Sequence, residues 1–507
     1  MNDARPAMQQ APPRASTGIA GLDDVLRGGF LANRVYLVEG APGAGKTTLA
    51  LQFLLEGRHQ GEAGLYVTLS ESEEELRAVA TSHHWSLDGI ELFEFASAET
   101  ALSLDHEQTL LHPWEVELGE TMKAILDRVK EVEPKRVVFD SLSEMRLLAQ
   151  DPLRYRRQIL ALKQYFTGRD CTVLLLDDLS GGDTDLQLHS ICHGVIALER
   201  LTMEFGAARR RIEVQKMRGS AFLEGWHDYV IRPGGLDVFP RLVAALHHRD
   251  FLTEQLESGV AELDALFGGG PLRGTSTLIL GPAGIGKTSI AIQYVLAAAE
   301  RGERSAIYEF DERAGTLITR SKKLGMDIEP HIRSGLVSLR QLDPAELAPG
   351  EFAWMVRQEV EIVGARVIVI DSLTGYMAAM PEEKQLLLQM HELLSYLSQL
   401  GIATFLISPQ VGLIGNMQTT LNISYIADSV LLLRFFEAGG RIRKALSVIK
   451  NRGGAHEDTI REFTMGATGI KVGQPLVDFE GVLTGVPRYV GGVGSLMGSR
   501  EAGRSPT

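Results

Sequence analysis

An eight-residue pattern, G-x-x-x-x-G-K-[ST], occurs twice in this chain and constrains it more than any other feature. The copies are Gly40-Ala41-Pro42-Gly43-Ala44-Gly45-Lys46-Thr47 and Gly281-Pro282-Ala283-Gly284-Ile285-Gly286-Lys287-Thr288. Each follows an apolar run, Val35-Tyr36-Leu37-Val38 or Thr277-Leu278-Ile279-Leu280, and the first opens onto Leu51, Leu54 and Leu55 at helical spacing. Glycines between a strand and a helix let successive backbone N–H groups converge on phosphate oxygens, and the helix N-terminus adds favourable dipole charge. Gly43, Gly45, Lys46, Thr47 and Thr48 are therefore expected to hold ATP at the first loop, as are Gly284, Gly286, Lys287, Thr288 and Ser289 at the second. The lysines reach the β and γ phosphates, and Thr47 and Thr288 are expected to ligate Mg²⁺.

The loops do not recur alone. Residues 17–23 and a Gly28-Gly29 pair precede the first, as residues 258–264 and Gly268-Gly269-Gly270 precede the second. Lys46 and Lys287 lie 241 residues apart, Asp140 and Asp371 lie 231 apart, and Lys216 and Lys450 lie 234 apart. Nearly constant offsets across three features indicate a duplicated domain. Each half alternates short strands with helical segments, and strands such as Thr172-Val173-Leu174-Leu175-Leu176 are apolar throughout. That pattern belongs to a mostly parallel sheet covered by helices on both faces. The expected fold class is α/β: two tandem P-loop domains at residues 16–245 and 246–490, with a disordered leader at 1–15 and a flexible tail at 491–507.

Composition narrows the function classes. With 507 residues and 44% hydrophobic content the chain can bury at least two cores. Cys171 and Cys192 are its two cysteines, too few for a disulfide framework or a four-cysteine zinc site. No run approaches the ~20 apolar residues of a bilayer span, so no membrane association and a cytoplasmic location are expected. A net charge of −14 counts against nucleic acid as a partner.

Several residues carry candidate chemistry. Asp140 and Asp371 each end an apolar strand before Ser-Leu, where a Mg²⁺ carboxylate belongs in phosphate-loop enzymes. Glu71, and Asp311 with Glu312, follow the second strand of each half and are candidates to orient the attacking oxygen. Ser70 with Glu73, or Ser72 with Glu75, also has capping-box spacing, so this acidic cluster can alternatively serve to start a helix. Lys216 with Arg218, and Lys450 with Arg452, recur before a glycine in both halves and are expected to reach the phosphates of a neighbouring subunit.

Taken together, these motifs resemble the KaiC family within the RecA-like ATPases, in its form with two fused ATPase domains. The likeness runs from about Thr17 to about Val490 and includes Ile460-Arg461-Glu462-Phe463 in the closing segment. It implies a homo-oligomer, a hexamer of two stacked rings, with ATP and Mg²⁺ bound between adjacent subunits. In this arrangement Lys216, Arg218, Lys450 and Arg452 act on the neighbour's nucleotide. Regulatory protein partners are also implied. Family members hydrolyse ATP slowly in the first ring and, in the second, transfer phosphate to a Ser-Thr pair, which makes this chain an ATPase with expected serine/threonine autokinase activity in a signalling or timing role. The tandem Glu-Glu of the family reads Ser70-Glu71 and Asp311-Glu312 here, and the phosphoacceptor pair falls on Ser424-Tyr425, leaving Ser424 as the candidate acceptor. Residues 382–387 lack the arginine expected across the second-ring interface. A RecA- or RadA-like DNA-dependent ATPase and a nucleotide-gated scaffold with little turnover share the same loops.

Overall fold

The computed structural model describes residues 12–94, 113–149, 151–178, 186–203, 206–377, 383–410, 425–483 and 487–490. The chain divides into two compact units, Met1–Arg241 and Leu242–Thr507.

In the first unit nine strands form one sheet: β1 (Val35–Gly40), β2 (Gly64–Thr68), β3 (Ile90–Glu94), β4 (Arg136–Asp140), β5 (Thr172–Asp178), β6 (Gly194–Leu201), β7 (Arg209–Met217), β8 (Trp226–Arg232) and β9 (Gly235–Phe239). Their spatial order is β9-β8-β7-β6-β1-β5-β4-β2-β3. From β3 through β6 every pairing is parallel, and the three pairings from β6 to β9 are antiparallel. Parallel neighbours need crossover connections, which the helices supply, whereas the antiparallel end is built by direct return of the chain. Four helices matter below: α1 (Lys46–His59), α2 (Glu73–Ser82), α3 (Leu142–Ala149) and α4 (Pro152–Phe166). One apolar layer packs Val38, Leu51, Tyr66, Val138 and Leu176 on one face of the sheet. A second packs Leu37, Val67, Phe139, Leu175 and Ile159 on the other.

The second unit repeats this plan. Its strands are β10 (Ser276–Gly281), β11 (Arg304–Glu309), β12 (Val337–Gln341), β13 (Ala365–Asp371), β14 (Ala403–Pro409), β15 (Ser429–Ala438), β16 (Arg441–Asn451), β17 (Arg461–Gly466) and β18 (Gly469–Pro475). Their order, β18-β17-β16-β15-β10-β14-β13-β11-β12, is the order of the first sheet strand for strand. Helices α5 (Lys287–Glu300) and α6 (Ala314–Lys323) flank its loop. Leu242 and Ala244 pack into this second core.

Residues 12–15, read from their prolines as part of a disordered leader, are instead ordered. Arg14–Ala15 pairs with Phe30–Leu31, and the Arg14 guanidinium donates to the carbonyls of Leu26 and Gly29 at 2.8 Å each. Those carbonyls close the Gly28-Gly29 turn, so the arginine has a local anchor that proline content does not reveal. Residues 1–11 and the expected tail at 491–507 lie outside the described residues. Both cysteines are buried free thiols. Among the described residues no helix is long and apolar enough to cross a membrane.

Candidate functional site

Both glycine loops leave the carboxyl end of the central strand of their sheet, β1 or β10, and both helices begin at the loop lysine. Gly45 at φ +98° and Gly286 at φ +118° occupy left-handed backbone, where a side chain is strained. A Cβ at Gly45 would also stand 2.7 Å from Ile231 Cδ1, and one at Gly286 would stand 2.3 Å from Met465 Cε.

At the first loop, Lys46 is buried and its Nζ donates to the Gly40 carbonyl at 2.8 Å. It also pairs with Asp178 Oδ1 at 2.7 Å. Thr47 Oγ1 donates to Asp140 Oδ2 at 3.2 Å, and the buried Tyr66 hydroxyl donates to the same oxygen at 2.5 Å. Burial pushes the Asp140 carboxyl upward, opposed by these two hydrogen bonds and by Lys46. Glu71 sits on the turn after β2, its N–H donating to Thr68 Oγ1 at 3.0 Å. Its Oε2 is buried without a hydrogen-bond partner, and burial followed by the charge of Asp140 holds its carboxyl above the ordinary range. The helix-start reading of the acidic cluster is realised by Ser72 with Glu75 rather than by Ser70 with Glu73. Ser72 and Glu75 form the capping box that starts α2, while Glu71 stands outside it and faces the loop's charges.

At the second loop, Lys287 is buried and donates to the Pro282 carbonyl at 2.9 Å. Burial lowers its pKa, and Asp371 and Asp311 oppose that shift. Thr288 Oγ1 donates to Asp371 Oδ2 at 2.5 Å, repeating the hydroxyl–carboxylate pair of the first site. Glu312 pairs with Arg320 at 2.7 Å, and its N–H donates to Glu309 Oε1 at 3.0 Å. A cleft of about 690 Å³ opens beside this loop, its walls including Gly284, Ser289, Thr316, Arg320, Leu324 and Met465. Thr48 and Ser289 are both buried, and Ser289 lines this cleft of the second unit.

Lys216 and Lys450 stand elsewhere. Lys216 pairs in register with Val195 on β6, and Val195 pairs with Leu37 on β1, three residues before Gly40. Lys450 pairs with Val430 and Val430 with Leu278, again three residues before the loop glycine, Gly281. Each lysine is thus two strands away laterally and roughly 10 Å back along the central strand from its own loop. Lys216 donates to the carbonyls of His189 and Cys192, the latter at 2.9 Å, and Lys450 donates to that of Ala427 at 2.6 Å. Arg218 and Arg452, both exposed, lie just past the ends of β7 and β16, beyond the lysines. The fold therefore brings together the loop residues, Asp140 with Glu71, and Asp371 with Asp311 and Glu312, and leaves both Lys-x-Arg pairs at the other end of the sheet. Ser424 lies outside the described residues.

Three residues at the sites were missed by the sequence reading. Tyr66 reads as one more apolar strand residue, and only the register of β2 with β4 brings its hydroxyl to Asp140. Glu309 ends β11 opposite Asp371, and its Oε2 is buried without a partner. Burial and Asp371 push its carboxyl far above the ordinary range. Asp178 was legible as an acid closing an apolar run, the same signal that pointed to Asp140.

A glycine loop crowning the central strand of a doubly wound sheet, present in both halves with the same strand order, defines a tandem RecA-like P-loop ATPase architecture. Residues 15–243 and 256–477 each match the family model for the KaiC ATPase, and the chain belongs to that family. It is 26% identical over 493 residues to the circadian clock protein KaiC2 of Synechocystis sp., covering 94% of this chain and 84% of that protein. To the circadian clock oscillator protein KaiC of Picosynechococcus sp. it is 27% identical over 483 residues, covering 94% and 92%. To the circadian clock protein KaiC3 of Synechocystis sp. it is 25% identical over 488 residues, covering 94% and 95%. The chain is thus a KaiC-type, ATP-binding, ATPase-family protein.

Proposed function

We propose that the chain works as a cytoplasmic homo-hexameric ATPase in which each ATP is completed by two subunits. The working units are residues 16–245 and 246–490. The observation that carries this reading is the placement of Lys216-x-Arg218 and Lys450-x-Arg452 at the end of each sheet remote from its own loop. A basic pair that cannot serve its own site fits a heterologous, ring-closing contact with the next subunit.

Each site suits Mg²⁺. Thr47 with Asp140 and Thr288 with Asp371 offer hard oxygen donors, and the unpartnered Glu71 Oε2 is free to accept from a water. Bound Mg²⁺ would neutralise charge on the β and γ phosphates. Lys46 and Lys287 bind the phosphates, and the glycine turns exclude side chains from the space beside them. Glu71 in the first site and Asp311 with Glu312 in the second orient the attacking oxygen. The cleft walled by Thr316, Arg320 and Leu324 takes the nucleoside of the second ATP. In the second domain the γ-phosphate is also transferred to Ser424, and regulatory proteins read the resulting state.

A mixing experiment tests the shared site. On a Glu312→Gln background that silences the second ring, Glu71→Gln chains and Arg218→Ala chains are each expected to lack turnover. In mixed rings about a quarter of the interfaces join an intact loop to an intact arginine, so about a quarter of parental activity should return. Absence of recovery in rings shown by light scattering to be mixed would overturn the shared site. Transfer of γ-label to protein that persists in Ser424→Ala would overturn the acceptor assignment.

A further inference from the structure

The two sites differ in what holds the loop lysine. In the first, β5 carries Asp178 opposite Gly40, and Asp178 Oδ1 pairs with Lys46 Nζ at 2.7 Å. In the second, the position opposite Gly281 is Pro409, and the preceding one, equivalent to Asp177, is Ser408. No carboxylate lies within 4.0 Å of Lys287 Nζ among the described residues. The same fold thus presents a lysine in a direct ion pair at one loop and, at the other, a lysine that feels Asp371 and Asp311 without a direct ion pair among the described residues.

Asp178 is built into this position. Its N–H donates to Ser143 Oγ at 3.3 Å, and the same hydroxyl lies 3.4 Å from its Oδ2, tying it to α3. Asp177 has a separate cation, Arg146, which leaves Asp178 to Lys46. Asp178 also lies close enough to Glu71 and to Asp140 to act on both electrostatically. It therefore pairs with the loop lysine and lies near the acid proposed to face the terminal phosphate. A γ-phosphate arriving there must draw Lys46 from Asp178 and accept a third carboxylate nearby. ADP, which carries one negative charge fewer than ATP, meets less of this repulsion.

We infer that Asp178 is a specificity-determining residue of the first site, one that disfavours the γ-phosphate and tilts this site towards ADP relative to the second. The inference rests on the reading that the first loop binds ATP. A single charge a few ångströms from the γ-phosphate, at the margin of solvent, is worth about tenfold in affinity. The consequence is a first site that favours ADP over ATP more than the second site does.

The test uses the full chain carrying Lys287→Ala, so that only the first site binds, with calorimetric titration of AMP-PNP and of ADP in the presence of Mg²⁺. Asp178→Asn should tighten AMP-PNP about tenfold and ADP less than about threefold. Asp178→Glu, which keeps the charge, should leave the ratio of the two affinities near that of the parent. Asp178→Ser gives the same comparison without an amide, and thermal unfolding confirms that each variant folds. A ratio in Asp178→Asn within about twofold of the parent would overturn the role of Asp178 while leaving the first site intact. Failure of the parent to bind either nucleotide would overturn the assignment of ATP to the first loop, and this inference with it.

Discussion

Arg136 and Arg366 lie at the start of matching strands in the two halves, yet replacing them by methionine should have very unequal consequences. Arg136 is 1% exposed. Its guanidinium donates to the carbonyls of Ser16 at 2.6 Å and Phe53 at 2.8 Å, to Gln60 Oε1 at 3.1 Å and to Glu62 Oε2 at 2.5 Å, and it lies over the Phe53 ring at 4.7 Å. Arg366 is exposed. The difference is one residue of register: Arg136 stands four positions before Asp140, whereas Arg366 stands five before Asp371. Because strand side chains alternate, that single residue sends Arg366 to the opposite face. In Arg136→Met, two backbone carbonyls lose charged donors at about 1–3 kcal/mol each. The lost pair with the part-exposed Glu62 adds less than about 1 kcal/mol, and burial of the methionine returns about 1–2 kcal/mol. The net loss is about 3 kcal/mol. For a domain of this size it should lower the first unit's unfolding midpoint by roughly 10 °C in scanning calorimetry. Arg366→Met should stay within about 0.5 kcal/mol of the parent. A fall of less than about 3 °C in Arg136→Met, or equal falls in both variants, would refute the reasoning.

Two further predictions concern pH. The first unit should weaken in acid through His227, whose Nδ1 accepts from the Arg241 N–H at 2.8 Å and whose Nε2 lies 3.0 Å from the Leu223 carbonyl. Burial pushes this imidazole from 6.5 down to about 4. Its folded pKa is depressed, so its stabilisation is present above 6.5 and is lost as pH falls towards 4, by about 3 kcal/mol in all. His227→Gln should flatten that slope in unfolding followed across the window, and an unchanged slope would count against it. Glu309 has the opposite sign. Its folded pKa is raised, so its contribution is complete below the ordinary carboxylate pKa of about 4.3 and declines as pH rises towards the folded value. Glu309→Gln keeps an acceptor for the Glu312 N–H and should gain stability over the parent increasingly with pH, whereas parallel curves would show that the carboxyl is not penalised.

The repeat itself was plain in the residues because phosphate loops demand glycines at fixed places, and few other structures do. Apolar strands bounded by Asp140 and Asp371 were equally plain, since a sheet covered on both faces tolerates no alternation. Arg14 was missed because its partners are two backbone carbonyls, which look alike in any sequence, and the hydroxyl of Ser220, which lies 206 residues away in the chain. Tyr66 and Glu309 were missed because their relevance comes from the strand beside them, not from their neighbours in the chain.

The sequence by itself determined the architecture, the duplication and the position of both glycine loops, because each depends on local residue spacing. Tertiary structure alone decided which end of the sheet receives each charged side chain. Register set Lys216 and Lys450 away from their own loops, turned Arg366 outward where Arg136 is buried, and placed Asp178 on Lys46 where the second sheet has Pro409 at the matching position. Strand pairing is non-local, and a shift of one residue moves a charge from one face to the other, so copies that read alike in sequence differ in chemistry.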